Sequence, residues 1–238
     1  MTKYKLFSII VPVYNEDRTI GKLLKKLLGV KFPIDFEVIC IDDGSSDNSG
    51  KIIKKIMKKN SKIQYFYKGN GGKGSAIRMG FKKSSGDILA VQDADLEYDP
   101  ADFNKMLELI LGGESNVVYG SRYMEDLGKF EENDHITYKI HLYGNKLLSF
   151  LSSLLYGAKL TDMETCYKMF TRNVYEKFNL VSDKFDIEPE ITAKIIKSGE
   201  KIIEIPIRYH SRDFKDGKKI TWIDGLIAVF SLVKWKFK

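Results

Sequence analysis

Cysteine is nearly absent, with two in 238 residues. That is too few for a disulfide framework, so a reducing compartment is expected. Histidine occurs three times, at 135, 141 and 210, and neither it nor cysteine shows the spacing of a zinc site. There is no GxSxG elbow, which removes serine-nucleophile chemistry of the hydrolase type. No apolar run approaches the ~18–20 residues that a membrane-spanning helix needs. The opening MTKYKLFSIIVPVYNE has no small-residue cleavage site, so no signal peptide is expected. No nucleic-acid-binding module is recognisable, and no nucleic-acid partner is expected.

Hydrophobic residues make up 43% and charged residues 30% of the chain, a globular balance that excludes general disorder. The net charge is +7, and it is uneven. From Pro206 to Lys238 there are eight Lys or Arg against three Asp, a surplus of five. Such a surplus fits an anionic partner or a solvated basic tail.

The first half alternates strand and helix patterns. Leu6–Val13, Phe36–Asp42, Ile63–Tyr67, Asp87–Gln92 and Asn116–Gly120 read as strands. Between them, Thr19–Leu28, a stretch holding Ile52, Ile53, Ile56 and Met57, Ala76–Lys83, and Asp99–Leu111 read as helices. Ser46 or Asp47 is the expected cap of the second helix. This βα alternation predicts an α/β fold with a mostly parallel sheet and helices on both faces. The second half is less regular. Ile136–Tyr156 is patterned as a long amphipathic helix, followed by strand, helix and strand patterns at Tyr167–Phe170, Ile187–Lys197 and Ile202–Tyr209. Trp222–Trp235 is apolar around most of its circumference.

In an open α/β sheet, ligands bind at the carboxyl ends of the strands. Three strand ends here carry polar clusters: Tyr14, Asn15 and Glu16; Asp42, Asp43, Gly44 and Ser45; and Asp93, Asp95 and Glu97. Gathered carboxylates repel one another unless something positive sits among them. A hard divalent cation does this, taking one or two carboxylates plus phosphate oxygens from a ligand. Asp as a turn residue is the other reading of Asp93-Ala94-Asp95. The glycine-rich GNGGKGSAIRMG is not a Walker A loop, since Lys73 is followed by Gly74. It is either a phosphate cradle at a helix N-terminus or a flexible turn.

The ordered set PVYNE (12–16), DDGSSD (42–47), NGGKGSAIRMG (70–80), QDADLEYDP (92–100), GSRY (120–123), TDMETCYKMF (161–170) and EIPIRYHSR (204–212) resembles the inverting family 2 glycosyltransferases. Within them it looks most like the dolichol-phosphate mannose synthases and polyprenyl-phosphate glycosyltransferases. The resemblance covers nearly the whole chain. It implies a GT-A fold, one continuous domain with a nucleotide-sugar-binding half (1–125) and a smaller acceptor-binding half (126–238). It implies transfer of a hexose, mannose or glucose, from a nucleotide-diphosphate sugar (GDP-mannose or UDP-glucose) to a polyprenyl or dolichyl monophosphate, with Mg²⁺ or Mn²⁺ as cofactor.

Carried over by position, Pro12, Tyr14 and Glu16 line the nucleoside pocket, and Asp42 and Asp43 hold its base and ribose side. Lys73, Asp93 and Ala94 face the sugar-diphosphate, and Asp95 and Glu97 are the metal ligands. Arg122 meets the acceptor phosphate, and Arg212, with Lys218 or Lys219, closes over the donor diphosphate or the acceptor phosphate. The catalytic set is thus Asp93, Asp95, Arg122 and Arg212. Three positions depart from the pattern. Glu97 stands where the mannose synthases often carry Gln. Cys166 stands where Gly is common and is read as a packing residue. The acceptor helix lacks the usual Arg and Ser, leaving Lys139, His141 and Asn145, with Lys139 as the acceptor ligand.

A phosphate monoester has a second pKa near ~6. It is already nucleophilic at neutral pH, so such a transfer needs no general base. The helices at Ile136–Tyr156 and Thr221–Phe237 carry lysines beside apolar residues, which suits a bilayer surface. The expected location is peripheral, at the cytoplasmic face of a membrane, with a membrane-protein partner as a further possibility. Two alternatives remain at this stage. One is a family 2 enzyme acting on a soluble sugar or polysaccharide intermediate, with Glu164, Asp186, Glu188 or Glu190 as base. The other is a nucleotide-sugar-binding module without turnover.

Overall fold

A computed structural model of the chain describes residues 3–124, 136–210 and 222–238, with the side chains of 136–142 and 222–224 outside the description. The apolar, β-branched run Leu6–Val13 forms β1, buried along nearly its whole length. It lies between β2 (Asp35–Asp43) and β4 (Ile88–Val91), parallel to both, and β3 (Ile63–Lys68) adds outside β2 in the same direction. All four strands therefore end at one edge of the sheet. The helices between them, α1 (Ile20–Gly29), α2 (Ser49–Met57) and α3 (Lys73–Lys83), turn their apolar stripes inward, as with Ile20, Leu23, Leu24 and Leu27 of α1.

Helix α3 crosses closest to the sheet at Gly80, where a Cβ would stand 2.3 Å from Cγ2 of Ile10. Any side chain there would push the helix off β1. A short 3₁₀ turn at Pro100–Asp102, capped by the Asp99 carboxylate on the Ala101 amide (3.0 Å), leads into α4 (Phe103–Leu111).

The second half continues the same sheet. β5 (Val117–Ser121) is followed by the long α5 (Ile136–Tyr156), then β6 (Lys168–Thr171), the short α6 (Arg172–Tyr175), α7 (Ile187–Lys197), β7 (Ile202–Pro206) and α8 (Trp222–Phe237). The seven strands are ordered β3-β2-β1-β4-β6-β5-β7. β6 runs antiparallel to both β4 and β5, whereas β5 and β7 are parallel. The main core fills both faces of this sheet, and a second cluster, built on Leu148, Leu160, Met163, Ala228 and Leu232, joins α5 and α8.

Three expectations need adjusting. The cap position of α2 is Asn48, with no side-chain cap bond; Asp47 instead accepts from the amides of Ser49 and Asp17, both at 2.9 Å. α3 begins at Lys73, three residues early, because Gly72 enters it with φ +96°. β7 stops at Pro206, where proline has no N–H for the ladder, and Tyr209 makes only an isolated antiparallel bridge with Tyr98.

Candidate active site

The loops after β1 and β2 are tied together above the strand ends. The amide of Asn15 donates to Ser45 Oγ (3.0 Å), the amide of Ser46 to Asn15 Oδ1 (2.8 Å), and the amide of Glu16 to Ser49 Oγ (2.8 Å). Asn15 takes φ +53° to allow this, a region that Asn tolerates better than most residues. Thr19 Oγ1 donates to Glu16 Oε2 (2.9 Å), which fixes the carboxylate at the start of α1. Tyr14 is exposed and Pro12 is half-buried on β1. These three residues follow one another at and just beyond the carboxyl end of β1.

Asp42 and Asp43 point inward. Asp42 accepts from the Ser45 amide (2.8 Å) and from the Tyr65 hydroxyl (2.7 Å). Asp43 pairs with Lys68 and accepts from the amides of Gly71 (3.0 Å) and Gly72 (2.7 Å). The glycine-rich loop thus wraps a carboxylate of the protein itself. The amide of Ser75 goes to the Asp183 carbonyl (3.0 Å). The loop is a turn that leads into α3 and presents Lys73 at its first position.

Lys73 is the first link of a buried charge chain. Its ammonium lies 2.8 Å from Asp93 Oδ1 and 3.4 Å from Glu188 Oε1. Glu188 in turn takes Lys168 at 2.5 Å. Burial alone would lower the Lys73 pKa, but Asp93 and Glu188 outweigh it and hold the ammonium well above its usual value. Lysines therefore neutralise Asp43 and Asp93. Ala94, between the two rim aspartates, is buried.

Asp95 and Glu97 flank a turn made by Leu96 at φ +67°. The Glu97 amide donates to Asp95 Oδ1 (3.1 Å), closing the turn. Glu97 Oε2 accepts from the Tyr209 hydroxyl (2.8 Å). No group of three or more metal-ligating side chains occurs among the described residues. Two carboxylates on one tight turn still fit a hard divalent cation that draws its remaining ligands from a bound diphosphate and water.

Tyr209 connects this turn to the opposite wall. Its ring lies 5.2 Å from the Arg122 guanidinium carbon and 5.1 Å from the Tyr98 ring. Arg122, just after β5, pairs with Asp162 in a two-pronged bond, Nε to Oδ2 and Nη2 to Oδ1, both 2.7 Å. Its backbone amide adds a third bond to Asp162 (3.0 Å). Burial would lower the Arg122 pKa; Asp162 reverses this and holds it well above the arginine range. Glu204 on β7 fixes the Asp162 loop by accepting from the amides of Thr161 (2.7 Å) and Asp162 (3.0 Å).

Two residues on, Glu164 has an enclosed Oε1 with no hydrogen-bond partner among the described residues. Burial, opposed by Lys168 and reinforced by Glu188, pushes its carboxyl up to about 7. Cys166 is buried with its Sγ 3.9 Å from the Val91 carbonyl, and burial pushes its thiol well up, as suits a packing residue.

The structure thus gathers Asp93, Asp95, Glu97, Lys73 and Arg122 along one edge. Lys139 falls on α5 with its side chain outside the described residues, and Arg212, Lys218 and Lys219 lie outside them altogether. Asn145, one of the polar candidates of α5, donates to the Tyr123 hydroxyl (2.9 Å). Asp162, Lys168, Glu188 and Tyr209 have roles here that the sequence reading did not assign.

The model of the family described as "Glycosyl transferase family 2" matches residues 8–178. The dolichol-phosphate mannosyltransferase of Pyrococcus furiosus is 28% identical over 238 residues, covering 96% of this chain and 64% of that protein. The UDP-N-acetylglucosamine–dolichyl-phosphate N-acetylglucosaminyltransferase of Methanococcus voltae is 28% identical over 222 residues, covering 86% of this chain and 85% of that protein. The chain thus spans under two thirds of the first of these relatives and most of the second. Among solved structures, glucosyl-3-phosphoglycerate synthase from Mycobacterium tuberculosis, with Mn²⁺ and UDP-glucose, superposes with a TM-score of 0.73. It is 14% identical, with 98% of this chain and 79% of that one covered.

Proposed function

Because the chain belongs to glycosyl transferase family 2 and is a glycosyltransferase of GT-A fold, we propose that it moves a hexose from a nucleotide-diphosphate sugar to a polyprenyl or dolichyl monophosphate. The hexose is mannose or glucose, carried as GDP-mannose or UDP-glucose. The observation that carries this reading is Tyr209, which touches both halves of the site: its hydroxyl holds Glu97 and its ring lies against Arg122. An anionic donor at the Asp95–Glu97 turn and an anionic acceptor at Arg122 would meet across it. The relatives named for dolichyl-phosphate acceptors support the acceptor class.

In this reading Pro12, Tyr14 and Glu16 line the nucleoside end, with Asp42 and Asp43 shaping the rim beside it. Lys73 sets the Asp93 carboxylate toward the sugar. Asp95 and Glu97 would hold Mg²⁺ or Mn²⁺, which when bound neutralises the leaving diphosphate. Asp162 fixes the guanidinium of Arg122, and Arg122 aims the acceptor phosphate. A phosphate oxygen attacks the anomeric carbon from the face opposite the diphosphate, which leaves as its bond to that carbon breaks, so the configuration inverts. The phosphate monoester is mainly dianionic at neutral pH, and positioning supplies most of the acceleration.

Among the described residues no helix is long and apolar enough to cross a membrane. The protein would meet its lipid acceptor peripherally, at the cytoplasmic face.

Glu164 favours a second reading. A sugar-hydroxyl acceptor needs a base tuned near neutrality, and Glu164 has that tuning. Of the other expected bases, Glu188 and Glu190 are held by lysines and Asp186 accepts from the Lys184 amide. The test is transfer from labelled GDP-mannose or UDP-glucose to polyprenyl phosphate or to a sugar alcohol. Product on the lipid alone supports the first reading; product on the alcohol alone supports the second.

A further inference from the structure

β7 lies at an outer edge of the sheet, and the turn that carries Asp95 and Glu97 follows β4, three strands away in the order β4-β6-β5-β7. The chain returns from one to the other within a few residues. At Pro206 it leaves the ladder, and the Ile207 amide donates to the Ser121 carbonyl at the end of β5 (3.1 Å). Ile207 then lies over Gly120, where a Cβ would stand 2.6 Å from Ile207 Cγ2. Any side chain at Gly120 would lift the crossing segment off β5. Three residues after Ile207, the His210 amide donates to the Glu97 carbonyl (2.8 Å), and the Tyr209 hydroxyl holds the Glu97 carboxylate. Residues 207–210 therefore form a strap from the end of β5 to the turn after β4, with Tyr209 between Arg122 and Glu97.

Arg208 fastens this strap. Its amide donates to Asp102 Oδ2 (2.8 Å), and its guanidinium donates to Asp102 Oδ1 from Nη2 (3.1 Å) and from Nε (3.3 Å). Nη1 lies 3.2 Å from Asp99 Oδ2. Asp99 caps the 3₁₀ turn that ends at Asp102, so both carboxylates belong to the segment that follows Glu97 directly. The arrangement repeats the Arg122–Asp162 pair: a buried aspartate takes both the backbone amide and the guanidinium of one arginine. It differs in exposure, since the Asp102 side chain is 2% exposed and that of Arg208 55%. An ion pair open to water on one side adds little to stability. What these contacts do is fix residue 208, and through it the two residues that hold Glu97.

We propose that Arg208 is a positioning residue for the divalent cation: by fastening the strap to Asp99 and Asp102 it sets the Glu97 carboxylate, and with it the cation affinity of the Asp95–Glu97 turn. This rests on the reading of that turn as the donor's metal site. Groups that orient a metal's ligands typically account for about 10–100-fold in metal affinity. The Tyr209 ring also lies against Arg122, so the same fastening sets the spacing between the cation and the acceptor end of the site.

The experiment is calorimetric titration of GDP and UDP into the full chain, with Mn²⁺ and in EDTA. It compares wild type with R208M, R208K, Y209F and R208M/Y209F, with thermal melts followed by circular dichroism as the folding control. R208M should lose roughly tenfold of the gain in nucleotide affinity that Mn²⁺ gives, while its affinity in EDTA is unchanged. Its Tm should stay within about 4 °C of wild type, as for an exposed pair. R208K, which can reach a carboxylate but has no planar fork, should recover part of the gain. R208M/Y209F should bind no worse than R208M, because both changes act on one carboxylate. A merely structural role would lower Tm and leave the metal gain untouched. The proposal is overturned if R208M keeps the full gain, if it loses affinity equally in EDTA, or if the losses of R208M and Y209F add in full. A wild type with no metal gain for either nucleotide contradicts the metal reading itself, and the proposal falls with it.

Discussion

Replacing Asp162 by alanine removes the anion that Arg122 was folded around. Three hydrogen bonds go at once, from Nε, Nη2 and the backbone amide of Arg122. The Asp162 side chain is fully buried and that of Arg122 is 10% exposed, so the cation left behind has little water to turn to. Breaking one partner of a buried pair costs about 3–5 kcal/mol. The rings of Tyr123 and Tyr209, 5.3 and 5.2 Å from the guanidinium carbon, offset part of this through cation–π attraction. A loss of about 3 kcal/mol is therefore expected. At ~2–4 °C per kcal/mol for a chain of this size, Tm should fall by about 6–12 °C. The double variant R122M/D162L buries no unpaired charge and should recover most of that loss, while remaining inactive toward the acceptor. Urea and thermal unfolding followed by circular dichroism measure both. A loss below about 1 kcal/mol for D162A, or a double variant no more stable than the single one, would refute the view that this pair is a desolvated unit.

Glu164 makes stability depend on pH. Its carboxyl is raised from 4.5 to about 7 in the folded chain, so the folded state binds the proton more tightly than the unfolded state. The stabilising contribution is complete below pH 4.5 and is lost as pH rises through about 7. At 1.36 kcal/mol per unit this amounts to at most about 3 kcal/mol. E164Q should flatten that slope and be more stable than wild type at pH 8; an unchanged slope would show that the carboxyl ionises normally. K73M leaves Glu188 held by Lys168, so its structural cost should be modest, about 1–2 kcal/mol. Asp93, however, loses the group that aims it, and turnover should fall by roughly 10²-fold, since misplacement near 1 Å has that effect. Steady-state kinetics showing unchanged turnover would remove Asp93 from the reacting centre.

The parallel half of the sheet was readable because its periods are local. Leu6–Val13 is a β-branched run between polar flanks, and Thr19–Leu28 repeats at helical spacing, so strand and helix follow from neighbours in the chain. The order of the strands is not local. Nothing in Lys168–Thr171 says that it inserts between β4 and β5 and runs against both. The same limit applies to the site. The acidic strand ends were visible as DDGSSD and QDADLEYDP, but their neutralising partners were not. Asp93 meets Lys73 from twenty residues away, Lys73 meets Glu188 from far across the chain, and Arg122 meets Asp162 forty residues on. Asp95 and Glu97 sit on a turn whose left-handed residue, Leu96, has no sequence signature. Tyr209 was hidden for a similar reason: it looked like the end of a strand that in fact stops at Pro206.

The claim on which the rest depends is that Asp95 and Glu97 hold a divalent cation together with the donor's diphosphate. Calorimetric titration of GDP and UDP into the wild-type chain and D95A, each with Mg²⁺, with Mn²⁺ and in EDTA, tests it directly. The account predicts that one nucleotide binds wild type at least tenfold more tightly with metal than in EDTA, and that D95A loses this difference while keeping its fold. Equal affinity with metal and chelator, or a metal effect preserved in D95A, would contradict it.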